Sequence, residues 1–354
     1  MELTGKMIFN LTNKMAVNNK VRNTNIEIFR FVLMAGILLW HLIIHGCGFS
    51  DIGKSDYNYS IHESIICCAI FAPSVNCFMF ISGWFGMKFK GAKVMNLSLV
   101  CVLSAIICLA LRHFTILRGG GGHDISLINL YSAIFPISTV AWWFMTAYVM
   151  VLLISPFIEK SIKIIDKKEF LSVLVFMTLI EVLSIPAMRN FGSSFFGLLY
   201  IYLLGRYLRA YKIKLTGKKA VLLFISMTTL MMICLETLYI LPIKNSALFW
   251  FLQFNNPIII LQAISLFFIV LNLKPLYNRH INKILQPCLC IYLLTELTQP
   301  YKLIVAQLES NPILGIGFII GALIVCLVLG HVIFYLADKT VSFSMRKVSN
   351  RLTI

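Results

Sequence analysis

The sequence predicts an all-α, polytopic membrane helical bundle of about ten transmembrane helices, with both termini in the cytoplasm. Three observations carry that prediction. Of 354 residues, 59% are hydrophobic and only 13% are charged, about half the charged share that covers an ordinary soluble domain. Apolar runs long enough to cross a bilayer recur along the whole chain. The lysines and arginines fall in alternate gaps between those runs, which orients the bundle.

In order, the runs are placed at 26–45, 64–87, 94–113, 141–159, 169–188, 194–211, 219–241, 248–271, 284–304 and 313–337. Residues 1–25 read as a loose cytoplasmic tail, 26–337 as one transmembrane domain, and 338–354 as a cytoplasmic C-terminal tail. One face collects 25 of the 31 basic residues, among them Arg22, Arg30, Lys88, Lys90, Lys93, Arg206 and Arg209. The other face shares Lys54, Arg112, Arg118, Arg189, Lys244 and Lys302. The net charge of +17 is therefore a topology signal, with contact to anionic membrane lipids as an accompaniment. Its alternation along the chain argues against nucleic acid as a partner.

No secretory signal peptide is expected, because the first apolar run is too long and no small-residue cleavage site follows it. Cys67, Cys68, Cys101, Cys108, Cys234 and Cys326 lie inside spans, where a thiol packs as a small apolar side chain. Cys288 and Cys290 are two residues apart and face different sides of a helix, a poor metal site. The largest gaps, 46–63 and 114–140, fall on the outer face. The second holds the glycine-rich "RGGGGHDIS" and then "LINLYSAIFPIST", a partly apolar stretch suited to the membrane interface. No internal repeat is evident, which disfavours an inverted-repeat transporter.

The first run carries ionisable groups that a plain anchor would lack. "NIEIFRFVLMAGILLWHLIIHG" runs from Asn25 to Gly46 and holds Glu27, Arg30 and His41. Eleven helical steps bring His41 back to within roughly 20° of Arg30, some ~16 Å further along the axis. One face then has a cation at its cytoplasmic mouth and an imidazole deep toward the outer half. Two readings stand on geometry alone. Arg30 is a positive-inside anchor and His41 a hydrogen-bonded packing residue, or both face a wet cavity and serve function. His41 and His45 are also four apart, but "HLIIH" lacks the glutamate of a zinc-protease helix and a third ligand, so no metal is expected.

"NTNIEIFRFVLMAGILLWHLIIHG" resembles the first helix of the acyltransferase type 3 family, integral membrane enzymes that O-acylate sugars. That family spaces an arginine and a histidine by ten residues, as Arg30 and His41 are spaced here. "CFMFISGWFGMKFK", with Ser82 and Gly83, is similar to its second helix, and "WWFMTAYVMVLLISPF", ending near Pro156, to its aromatic fourth. "YLLGRYLRAY", "NNPIIILQAISLFF" and "CIYLLTELTQP" resemble later stretches of its polysaccharide-modifying branch. The likeness covers about residues 22–337.

The resemblance implies transfer of an acyl group, most often acetyl from acetyl-CoA, to a hydroxyl of a cell-surface or lipid-linked glycan. It also implies a multi-pass protein of the bacterial cytoplasmic membrane. Arg30 is expected to bind the donor's phosphates, since a guanidinium pairs well with phosphate oxygens. Lys88, Lys90, Lys93, Arg206 and Arg209 are auxiliary candidates for the same contact. His41 would act as general base on the sugar hydroxyl or as a transient acyl carrier. Two positions depart from the family pattern: Tyr148 stands where many relatives have a glutamate, and Thr295 where many have a histidine. Glu296, next to Thr295, is the expected carboxylate partner of His41. Glu181 and Glu236 are the other in-span acids considered. Trp142, Trp143 and Tyr148 either line a sugar cavity or form an interfacial aromatic belt. The rival function is a glycolipid transporter or flippase without acyl chemistry.

Overall fold

A computed structural model describes residues 22–49, 61–114, 126–185, 192–241 and 251–352. Most of the expected N-terminal tail, the glycine-rich stretch, and Lys54, Arg118, Arg189 and Lys244 lie outside the described residues. The described chain is helical, and six of its segments are long and apolar enough to cross a membrane: Thr24–Gly46, Ile61–Phe85, Gly91–His113, Trp143–Ser161, Gly217–Ile240 and Pro312–Ser344.

In chain order the helices are α1 (Thr24–His41), continued by a π-helical turn (Leu42–Gly46), α2 (Ile61–Phe71), α3 (Ser74–Phe85), α4 (Gly91–Phe114) and the short α5 (Leu127–Ile134). Then come α6 (Trp143–Ser161), α7 (Lys167–Ser184), α8 (Phe195–Ala210), α9 (Gly217–Ile240) and α10 (Pro257–Leu271). The last are α11 (Arg279–Leu285), α12 (Leu289–Thr298), α13 (Tyr301–Ser310) and α14 (Pro312–Leu352).

Four expected runs differ from a long apolar helix, each for a local reason. α7 opens on Lys167, Lys168 and Glu169 and buries Glu181. α8 has 16 residues. α10 has 15 and starts at Pro257 rather than near 248, because the Asn256 side chain accepts from the Ile258 N–H and proline occupies the first turn. The run expected at 284–304 is three helices, interrupted at Pro287 and again at Gln299–Pro300. At the other extreme, α14 continues to Leu352, well past the expected end at 337.

Prolines shape the bundle, and polar side chains repair what they break. Pro73 splits the second expected span into α2 and α3. Proline has no N–H, so the carbonyl four residues earlier loses its helical donor. That carbonyl is Ala69, and Gln262 of α10 reaches it through Nε2 at 2.9 Å while also meeting Thr228 Oγ1 of α9 at 2.9 Å. Pro156 inside α6 frees Leu152 in the same way, and Ser155 Oγ donates to its carbonyl at 2.8 Å. A buried carbonyl without a donor would be costly in a bilayer, where no water can replace it. Each break is therefore also a weld between helices or turns.

Small residues set how closely the helices approach. At Gly83 of α3 a Cβ would strike the Tyr202 carbonyl of α8, and at Gly205 of α8 it would lie 2.9 Å from the Phe80 carbonyl and the Trp84 nitrogen. The α3–α8 crossing thus puts backbone on backbone, as small residues allow in membrane bundles. Gly36 of α1 admits the Ser74 side chain just after the Pro73 break, where a Cβ would lie 2.8 Å from Oγ.

Candidate active site

The start of α1 is latched to α11 and the segment before it. The Thr24 N–H donates to the Leu276 carbonyl at 2.8 Å, Asn25 Nδ2 to the Lys274 carbonyl at 2.9 Å, and Asn282 Nδ2 to the Arg22 carbonyl at 2.8 Å. Asn23 caps the helix by accepting from the Asn25 N–H. These bonds hold Arg22, Glu27 and Arg30 at the mouth of a cavity of about 560 Å³. Arg30 Nη1 donates to Glu27 Oε1 at 2.8 Å, and Arg22 Nη1 lies 3.8 Å from the same oxygen. Lys93 of α4 lines the same cavity. Three cations against one carboxylate leave the mouth with an excess positive charge. Glu27, at 4% exposure, keeps Arg30 turned along the cavity wall instead of out to the surface.

His41 ends the regular part of α1, and the helix then widens into the π turn, closed by Cys47 N–H to the Leu42 carbonyl at 2.8 Å. Such turns are rare and occur often at functional sites. Gly46 in this turn lets α13 press close, since a Cβ there would lie 2.8 Å from Val305 Cγ2. α13 itself arrives by a sharp reversal. Gln299 adopts a left-handed conformation with φ 49°, and Pro300 follows it.

The reversal brings three groups together. His41 Nδ1 lies 2.9 Å from Glu296 Oε2. The Tyr301 hydroxyl donates to the same carboxylate oxygen at 3.2 Å and sits 3.1 Å from His41 Nδ1. An ionised carboxylate can only accept, so the hydrogen between the ring and Glu296 belongs to Nδ1. In that tautomer of the neutral ring, Nε2 carries the lone pair. This is the division of labour by which a carboxylate fixes the tautomer of a catalytic imidazole. His45 packs beside the cluster, its ring centroid 5.6 Å from that of His41.

A small cavity of about 30 Å³ opens beside His41, lined also by Trp40, Ser74, Trp143, Phe144 and Tyr292. Phe144 lines the larger cavity as well. The two cavities therefore share one aromatic ring, and the helix that carries Arg30 and His41 lines both. Trp143 stacks on Phe254 at 5.5 Å, and Asn76 Nδ2 fixes that segment through the Phe254 carbonyl at 2.7 Å.

The structure brings some expected residues together and leaves others apart. His41 and Glu296 touch. Arg30 and Tyr148 share the larger cavity, and Trp143 lines the smaller one. Trp142 is packed in the core at 1% exposure. Of the auxiliary cations, only Lys93 lines the cavity with Arg30. Lys88 and Lys90 are exposed in the segment before α4. Arg206 instead donates through Nη2 to Glu159 Oε2 at 2.7 Å, and Tyr202 donates to the other oxygen at 2.8 Å. Arg209 lies over the Trp84 ring at 5.3 Å. The other in-span acids are elsewhere: Glu236 pairs with His62 Nδ1 at 2.9 Å, and Glu181 is buried against Asn255, which donates to its backbone carbonyl.

Tyr301 is the site residue that sequence reasoning missed. Its signal is the Gln299–Pro300 pair directly after the glutamate-bearing helix, which forces a turn there and returns the next side chain toward the last helical turn. Phe144, the ring that lines both cavities, sits inside a quoted motif but has no property that distinguishes it from its neighbours in sequence. Comparison with known proteins bears on the chemistry. No curated protein and no solved structure matches the chain. A family model described as an acyltransferase domain matches residues 23–331 and so takes in the His41–Glu296–Tyr301 cluster and the lining of both cavities apart from Arg22 and Phe334. The chain belongs to the acyltransferase type 3 family and is a membrane acyltransferase with an acyl donor and an acceptor.

Proposed function

We propose that this protein moves an acetyl group from cytoplasmic acetyl-CoA to a hydroxyl of a cell-surface or lipid-linked glycan in the bacterial cytoplasmic membrane. In this reading residues 26–337 form one domain that crosses the bilayer ten times, with both termini in the cytoplasm. The alternating basic gaps support that topology, and the helices that fall short as long apolar spans pack into the bundle as broken or short ones.

The observation that carries the reading is the pair of cavities sharing Phe144, with Arg30 in one and His41 in the other. Coenzyme A presents phosphates at one end and a thioester at the end of a thin flexible arm. Arg30, Arg22 and Lys93 suit the phosphates. The arm would pass Phe144, bringing the thioester to His41. His41 Nε2 then takes the proton of the attacking glycan hydroxyl, while Glu296 and Tyr301 hold the ring. The hydroxyl oxygen bonds to the carbonyl carbon, the carbon–sulfur bond breaks, and the imidazolium returns its proton to the leaving thiolate.

The size of the inner cavity supports acetyl in particular. A water needs at least about 10–15 Å³ of such space, so about 30 Å³ suits an acyl group of a few heavy atoms. The test is to incubate purified protein in lipid nanodiscs with radiolabelled acetyl-CoA and glycolipid acceptors. The expected result is release of free CoA with label on the glycan, and slower turnover for longer acyl donors. Movement of glycolipid across the bilayer with no consumption of acetyl-CoA would contradict the proposal.

A further inference from the structure

The cavity beside His41 is lined by a residue whose polar group the chemistry above leaves idle. Tyr292 of α12 lines it. The residue is 6% exposed, and its hydroxyl has no hydrogen-bond partner among the described residues. Buried hydroxyls are nearly always bonded, because one left unpaired forfeits its hydration without return. A phenylalanine would fill the same space without that cost. The ring is also held in place, meeting Phe144 nearly edge-on at 6.1 Å between centroids and 84° between planes.

Position points the same way. Tyr292 precedes Glu296 by four residues, one turn of α12, so the two side chains share a helix face. α12 packs on α1, and Glu296 of that face already contacts His41. A single helix face therefore offers the carboxylate that orients the imidazole and, one turn away, an enclosed and unpartnered O–H on a residue that lines the cavity the imidazole borders.

We infer that Tyr292 is the hydrogen-bond donor that stabilises the oxyanion formed when the acyl carbonyl is attacked, an inference that rests on the acyl-transfer reading. As the glycan oxygen bonds to the thioester carbon, the carbonyl π pair moves onto oxygen. That oxygen accepts from the Tyr292 O–H, which keeps its proton throughout. When the intermediate collapses, the C=O re-forms, the carbon–sulfur bond breaks, and the tyrosine is unchanged. A donor held ready in a dry cavity needs no reorganisation when the charge develops, which is why such donors are effective.

The experiment compares wild type, Tyr292→Phe and His41→Ala as purified full-length protein in nanodiscs, with acetyl-CoA as donor. Tyr292→Phe should lower kcat by about 10²–10³-fold, the usual cost of removing one oxyanion donor. It should change KM for acetyl-CoA little, since the interaction forms in the transition state. Its thermal midpoint should be unchanged or higher, because the hydroxyl lost had no partner. Replacing Tyr292 with 3-fluorotyrosine retains the O–H and should keep kcat within about tenfold of wild type. A Tyr292→Phe protein with wild-type kcat overturns the inference while leaving the acyl-transfer reading intact. A lowered midpoint with unchanged kcat also overturns it, by assigning the hydroxyl to packing. Absence of acetyl transfer by wild type itself overturns both.

Discussion

His41→Ala lowers the maximal rate of acetyl transfer by at least about a hundredfold, the lower bound for losing a positioned general base. The side chain is held at the site by specific contacts: its Nδ1 meets Glu296 and Tyr301, and the residue borders the inner cavity. Alanine leaves the Glu296 carboxylate without its imidazole partner, but Tyr301 still donates to it, so the turn after α12 should persist and the protein should remain abundant. Initial rates at saturating acetyl-CoA and acceptor, normalised to folded protein, measure the effect. A rate within a few-fold of wild type would mean that His41 is a packing residue. Incubation without acceptor adds a distinction: acetyl label that stays on wild-type protein but not on His41→Ala would identify the imidazole as an acyl carrier.

Glu296→Gln gives the second large loss, on the order of 10²–10⁴-fold in kcat, because an amide can present its NH₂ to Nδ1 and favour the wrong tautomer. The substitution keeps size and removes charge. Tyr301, which meets the same oxygen as His41, can accept from that NH₂ in place of donating, so the reversal at Gln299 keeps its anchor. Donor KM should change little, since Glu296 lies at the His41 end and not among the cations of the mouth. Unchanged turnover would leave Tyr301 or a water as the group that orients the ring.

Much of this arrangement was legible in the sequence, and the gaps have physical causes. The Arg30–His41 spacing holds because α1 is regular from Thr24 to His41 and becomes π-helical only afterwards. The α10 start is written in Asn256–Pro257, yet an apolar window read it as beginning near 248, since hydropathy does not weigh caps. The same blindness merged α2 with α3 and α11 through α13: Pro73, Pro287 and Pro300 sit inside apolar stretches, and the partners that make each break tolerable come from distant segments. Gln262 with Ala69 is one such pair. Arg206 had the composition of a phosphate contact, but Glu159 on a neighbouring helix claims it, and no local pattern announces that pairing. Glu296 was accessible because an acid within a span needs a partner. Tyr301 lay one residue beyond the motif that held it.

The central claim is that one helix divides the work, with donor phosphates held at Arg30 and chemistry performed at His41. Equilibrium binding of a non-hydrolysable acetyl-CoA analogue to purified Arg30→Ala, Arg30→Lys and His41→Ala proteins tests it most directly. Arg30→Ala should bind the analogue about tenfold or more weakly, consistent with loss of a charge-assisted phosphate contact. Arg30→Lys should recover only part of that affinity, because an ammonium lacks the planar fork of the guanidinium. His41→Ala should bind as wild type does. Loss of binding in the His41 variant with full binding in the Arg30 variant would contradict the account.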